Sequence, residues 1–350
     1  KLNSLTLGGE DGQIIKLITD VDVDWVKLDG IGSGESLELQ IGSDSRIGHL
    51  DAEASFSGDL RINYSGDSGA DRKVLVDLSA GKILGVTSID AFTLGKITAI
   101  QTGSGSQKID TGSSDNLSLQ TGADSDYLVA GSNKQTLAGE KGDDFYLFSN
   151  GWGQDIVSEV VGQGFDTLDF NAVTNNLAVD FYNSVAASGS KGVQVIDNSA
   201  TPNTIDDAVF VEKVIGGTGS NSYVFHDEWA RTDSGDATKV SMISIDDTAA
   251  GLASGKLDFS QVSYDLVFEL NVNGKVTVTA TIDAAGTPVT YQVNAFGIAE
   301  IVGGTGVNTY RIVSDQALKG GITTAVGGST YLDYSLYTNT AAPIIIYQIA

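Results

Sequence analysis

Cysteine is absent from the 350 residues, so disulfides and thiolate metal sites are both excluded. The same absence does not fix a compartment. Proline occurs three times, too rarely for Pro-rich linkers or disordered filler. Basic side chains are scarce: 20 Lys and Arg stand against 45 Asp and Glu, for a net charge of −25 and a pI near 4.1. Nucleic acid is therefore excluded as a partner, because phosphate binding needs clustered Lys and Arg. An anionic membrane surface is excluded on the same ground. No apolar run approaches the ~18 residues of a membrane-spanning helix, so no membrane insertion is expected. There are two histidines, His49 and His226, and no His-Glu-x-x-His pair. Neither a Gly-x-Ser-x-Gly elbow nor a phosphate-binding Gly-x4-Gly-Lys loop occurs. The chain opens on Lys1 without a signal-peptide pattern, and we read it as a segment of a longer protein.

What is present is lopsided. Ten of the acidic residues are Glu and 35 are Asp, and glycine numbers 43. Asp and Gly are turn residues, and Asp oxygens suit hard cations. Val, Ile, Thr and Tyr are plentiful, which favours strands. Between residues 102 and 170, seven short turns share a phase. Each has a small residue, glycine, a polar stretch, Asp or Gln, and then an apolar residue two places on. The polar positions are Gln107, Asp115, Asp126, Gln135, Asp144, Asp155 and Asp166, in steps of 8 to 11 residues. A step near nine is too short for a helix pair. It fits one Gly-rich turn plus one short strand, which must stack on its neighbours to bury its apolar residue.

The run TGADSDYL, GEKGDDFY, NGWGQDIV and VGQGFDTL resembles the haemolysin-type (RTX) calcium-binding nonapeptide, Gly-Gly-x-Gly-x-Asp-x-apolar-x. Two satellites, GGTGSNSYVF (216–225) and GGTGVNTYRI (303–312), resemble it with Asn in place of Asp. The resemblance implies an all-β parallel β-roll or β-helix solenoid. In it, residues about 18 apart share an edge and Ca²⁺ sits between stacked turns. Applied residue by residue, it implies metal ligation by Gly122, Asp124, Asp126, Gly139, Gly142, Asp144, Asp155, Gly164 and Asp166. The best site would lie between turns 122–126 and 139–144. One edge would hold Gln107, Asp126, Asp144 and Asp166, the other Asp115, Gln135 and Asp155. The 22-residue step to Asp166 would need a bulge. Asp124 and Glu140 stand where the pattern has glycine. Asn221 and Asn308 are expected to cap turns with their amides rather than to bind metal.

Residues 1–100 lack the motif but carry short apolar stretches at similar intervals, such as Val26–Leu28, Leu37–Leu39 and Leu60–Ile62. Irregular solenoid coils and sandwich strands would both read this way. After the β-roll of 101–170, a longer repeat sets in. VEKVIGGTGSNSYVF from Val211 returns as IAEIVGGTGVNTYRI 87 residues later, and LDF at Leu168 returns at Leu257 and, as LDY, at Leu332. Repeat units of 171–259 and 260–350 follow. Asn273-Gly274 signals an antiparallel hairpin inserted in the second.

IDTGSSDNL (109–117) looks like the signature of pepsin-type proteases. Such an enzyme needs two aspartates sharing a proton. The candidate partners, at Asp67-Ser68-Gly69 and Asp233-Ser234-Gly235, do not follow apolar runs as Asp110 does. Asp71-Arg72-Lys73 is the only cluster comparable to a polysaccharide-cleaving site. Trp25, Trp152 and Trp229 are expected in the core or at coil ends. The expected role is a non-catalytic structural or adhesive segment of a large exported bacterial protein, at the cell surface or outside the cell. Its partner would be a surface polysaccharide or another surface protein. The alternative is a polysaccharide-acting β-helix enzyme or its targeting module.

Overall fold

A computed structural model describes all residues except 1, 8–12, 18–21, 43–44, 66–74, 114, 160–162, 183–191, 228, 230–240, 252–253, 272–273, 285–286, 315–317, 319 and 338–350. The regular structure of the described chain is nearly all strand, with one short helix at Ala91–Leu94. It divides into two compact units, residues 1–172 with 199–211, and residues 173–198 with 212–350.

In the first unit, strands alternate between two parallel ladders as the chain coils. The front ladder begins Leu2–Leu7, Asp22–Leu28, Arg46–Ala52, Val86–Ile89. It continues as Leu75–Asp77, Lys108–Asp110, Tyr127–Val129, Phe145–Ser149, Thr167–Ala172. Lys82–Ile83 joins the two runs by antiparallel pairing on both sides. The back ladder stacks Gln13–Leu17, Ser36–Ile41, Asp59–Asn63, Ile97–Gln101, Leu117–Gln120, Gln135–Ala138, Gln154–Ser158 and Thr204–Val209. The first hundred residues are thus solenoid coils. Their alternating strands point Leu37, Leu39, Leu60 and Ile62 inward, each at most 1% exposed. Ile109, Leu128, Tyr146 and Leu168 continue the inner row of the front ladder.

The second unit also has two ladders. One stacks Leu177–Phe181, Ser222–His226, Gly255–Gln261, Ile298–Gly303 and Gly321–Thr324 in parallel. Val193–Asp197 adds to it antiparallel. In the other, Leu266–Leu270, Val276–Ala284 and Thr287–Phe296 form an antiparallel meander. Parallel neighbours extend it: Ser241–Asp246 beside Thr287–Phe296, and Val307–Ile312 beside Leu266–Leu270. The meander lies within the sheet, flanked by solenoid strands. Gly274 takes the left-handed conformation that its hairpin needs, while Asn273 falls outside the described residues.

Stacked aromatics fill the second core. Phe181, Phe225 and Phe259 lie face to face at centroid distances of 4.7 and 4.3 Å, and Trp229 packs edge-on against Phe225. Trp152 is likewise core. Trp25 departs from expectation. It lies on the outer face, 40% exposed and stacked on His49, because strand Asp22–Leu28 turns two successive residues outward between Val23 and Val26.

Candidate metal centre

Stacking of the turns at the start of the front strands produces a ladder of buried carboxylates. The backbone N–H of Gln107 donates to Asp126 Oδ1 at 2.7 Å, that of Asp126 to Asp144 Oδ1 at 2.7 Å, and that of Asp144 to Asp166 Oδ1 at 2.9 Å. The rungs are 19, 18 and 22 residues apart. Each aspartate therefore uses one oxygen to hold the preceding turn. The second oxygens of Asp126 and Asp144 are buried without a hydrogen-bond partner among the described residues.

The opposite edge holds a shorter version. Gln135 N–H donates to Asp155 Oδ1 at 2.8 Å, and Asp155 Oδ2 is buried without a partner. Asp115 is not in this row. The pairing sets Leu117 opposite Gln135, so Leu117 fills the rung and Asp115 stays exposed in the turn. The phase is displaced because Asn116 takes a left-handed φ of 56° and lengthens that turn.

Three carboxylates converge one turn beyond the pair that the motif singles out. Asp144, Glu159 and Asp166 are all buried, and their ligand oxygens lie within 4.8 Å of one another. Glu159 reaches the cluster from the position that follows strand Gln154–Ser158. Its Oε1 accepts from the Tyr146 hydroxyl and, at 3.0 Å, from Gly139 N–H. Gly139 has no room for a side chain, since a Cβ there would stand 2.2 Å from Asp144 Oδ2.

The other motif residues lie around this core. Gly122 and Gly142 have left-handed φ values of 100° and 131°, and a Cβ on either would strike the backbone of the preceding turn. Asp124 adopts φ 72° and Glu140 φ 70°, which explains the glycine preference at those places. The Asp124 side chain turns away from Asp144 and accepts from Gly105 N–H at 3.1 Å. Gly164 packs directly on the Gly142 carbonyl.

Burial dominates the electrostatics. It pushes Asp126 up to about 7, Asp144 to about 6 and Asp155 to about 8. A buried carboxylate without a compensating charge prefers its neutral form. The residues fit a hard divalent cation. Ca–O distances of 2.3–2.6 Å allow two ligand oxygens of one ion to stand up to about 5 Å apart, and the cluster meets that limit. Calcium would be held by Asp144, Glu159 and Asp166, and its charge would replace the protons that burial otherwise favours.

Asn221 and Asn308 are buried turn-binders. Asn308 Oδ1 accepts from Gly304 N–H while its Nδ2 donates to the Gly304 carbonyl. Asn221 has a further partner, Asp247, whose Oδ1 accepts from Asn221 Nδ2 at 2.6 Å and from the Tyr223 hydroxyl at 2.8 Å. Asp110 is also a turn residue, its Oδ1 accepting from Gly112 N–H. Asp67-Ser68-Gly69, Asp71-Arg72-Lys73 and Asp233-Ser234-Gly235 lie outside the described residues. Sequence reading missed Glu159; its signal was an acidic residue in the 155–166 step, one of three steps of 11 residues. No protein-family model and no curated protein matches the chain.

Proposed function

We propose that the chain is a non-catalytic structural or adhesive segment of a large exported bacterial protein. It works outside the cell as a β-solenoid stapled by Ca²⁺, presenting its outer faces to a surface polysaccharide or another surface protein. One observation carries the reading: Asp144, Glu159 and Asp166 are buried together within 4.8 Å, beside carboxylate oxygens of Asp126 and Asp144 that lack partners. Three buried acids converging in a chain of net charge −25 destabilise the fold unless a cation binds it. A cation that binds only the folded coils stabilises them by about 2.7 kcal/mol at a hundredfold excess over Kd.

The test is a thermal melt after exhaustive chelation and again in millimolar Ca²⁺. For a unit of this size the expected rise is roughly 5–10 °C. Glu159→Gln and Asp144→Asn should each reduce it. Terbium provides a local probe, because the Tyr146 hydroxyl bonds directly to Glu159. Tb³⁺ emission excited through tyrosine should appear in wild type, fall in Tyr146→Phe and be displaced by Ca²⁺. Identical melts with and without Ca²⁺ would refute the reading.

A further inference from the structure

We propose that the outer face of the back ladder in the first unit is a binding groove for a neutral polysaccharide chain. The proposal rests on the display role above only in naming a partner class; its geometry is independent of the cation. A hollow of about 300 Å³ crosses strands Ser36–Ile41, Asp59–Asn63, Ile97–Gln101 and Leu117–Gln120. Its shape follows from side-chain length. Backbone register sets Glu38, Arg61, Ala99 and Ser118 side by side in one row. The short Ala99 and Ser118 leave a floor, and the longer Glu38 and Arg61 continue the row as a wall. The ladder shifts register between Ile97 and Ala99, which brings Thr98 into the lining as well.

The second row is a file of carboxamides. Gln40, Asn63, Gln101 and Gln120 are successive register partners. The exposed members, Gln101 and Gln120, offer carboxamide donors and acceptors together, the mixture that vicinal sugar hydroxyls require, while Asn63 is buried beneath them. Neighbouring strands stand 4.7–4.9 Å apart, so the row from exposed Arg61 through Ala99 to exposed Ser118 spans about 10 Å, enough for two hexose rings, with exposed Gln101 and Gln120 beside it. Part of the row is already fixed. Glu38 Oε1 accepts from Gln40 at 2.8 Å and from Asn63 at 2.7 Å, which holds Asn63 in place. Gln101, Gln120, Ser118 and Arg61 are exposed and face solvent.

The class of ligand follows from the charges. The groove contains one acid, Glu38, and one base, Arg61, which make no ion pair with each other. They balance, so the site has no net attraction for a polyanion, and the chain's charge of −25 repels one at distance. No aromatic side chain lines the groove, so recognition is by hydrogen bonds to hydroxyls and affinity is modest.

The experiment titrates cellohexaose, laminarihexaose, maltohexaose and hexagalacturonate into the calcium-saturated protein, read by saturation-transfer NMR and calorimetry. The expected result is binding of at least one neutral hexaose. Ser118→Trp, which fills the floor from an exposed position, should weaken it at least tenfold. Gln101→Ala with Gln120→Ala should weaken it about threefold to tenfold per lost bond. This second variant decides the matter if the tryptophan disturbs folding. Melting curves recorded in parallel separate failure of the groove from failure of the calcium reading. Failure of every hexaose to bind, binding that survives both variants, or binding of hexagalacturonate alone would overturn the proposal.

Discussion

Asp144 does two jobs with two oxygens. Oδ1 fastens the Asp126 turn, and Oδ2 faces the space that Gly139 leaves open. Gly139→Ala should therefore damage packing and ligation together. An added methyl group in a filled core costs about 1–3 kcal/mol. The calcium-dependent rise in melting temperature should shrink as well, which a packing defect elsewhere would not cause. Asp155 gives a pH prediction. Its carboxyl is raised to about 8 by burial, against an ordinary value near 4 in the unfolded chain. The folded state thus holds a proton that the unfolded state releases. This contribution is full below about pH 4 and is lost as pH rises towards 8. The chelated protein should melt higher at pH 5 than at pH 8.5. Asp155→Asn should reduce that difference, since its amide oxygen still accepts from Gln135 but cannot titrate, leaving the share that Asp126 and Asp144 contribute. An equal pH slope in the variant would show that Asp155 does not carry the effect.

At the scale of the strand and its turn, legibility in the sequence depended on period. The turns from 102 to 170 could be phased because Gly and Asp recur where a left-handed turn and a side-chain acceptor are both needed. The ladder from Gln107 through Asp126 and Asp144 to Asp166 lies along one edge, as an 18-residue coil requires. The phase slipped at Asp115, where a longer turn gave its rung to Leu117. Glu159 escaped because it belongs to no aspartate position and arrives from the other ladder. Strands before residue 100 were visible as apolar stretches, but their partners were not. Parallel pairing joins residues far apart in sequence, such as Asn63 and Gln101, 38 residues apart. The groove was invisible for the same reason. Aromatic stacking is a property of elements too. Phe225 lies between Phe181 and Phe259 on adjacent coils, so Phe225→Ala removes two stacked contacts and opens a cavity. The expected loss is about 3–5 kcal/mol, measured by denaturant titration of the calcium-saturated protein. A loss below about 1 kcal/mol would mean that the coils repack independently.

At the scale of the whole molecule, the long repeat does not stack on itself in the obvious way. In the second unit, the LDF strand Gly255–Gln261 lies in the ladder with Ile298–Gly303 and Gly321–Thr324. The next marker, LDY in Ser329–Asp333, lies in the other ladder beside Val307–Ile312. The two GGTG turns alternate likewise, feeding Ser222–His226 in one ladder and Val307–Ile312 in the other. Each repeat therefore makes an odd number of crossings, and equivalent residues return to the same ladder only after two repeats. A chain without cysteine permits a clean test. Lys256 and Glu300 are register partners on adjacent parallel strands. Lys256→Cys with Glu300→Cys should cross-link on mild oxidation and stabilise the coil by about 2–4 kcal/mol. Lys256→Cys with Thr330→Cys places the second thiol in the opposite ladder and should stay reduced. If the second pair closed and the first did not, successive markers would share a face. The solenoid would then repeat every unit, and the alternation of ladders would be wrong.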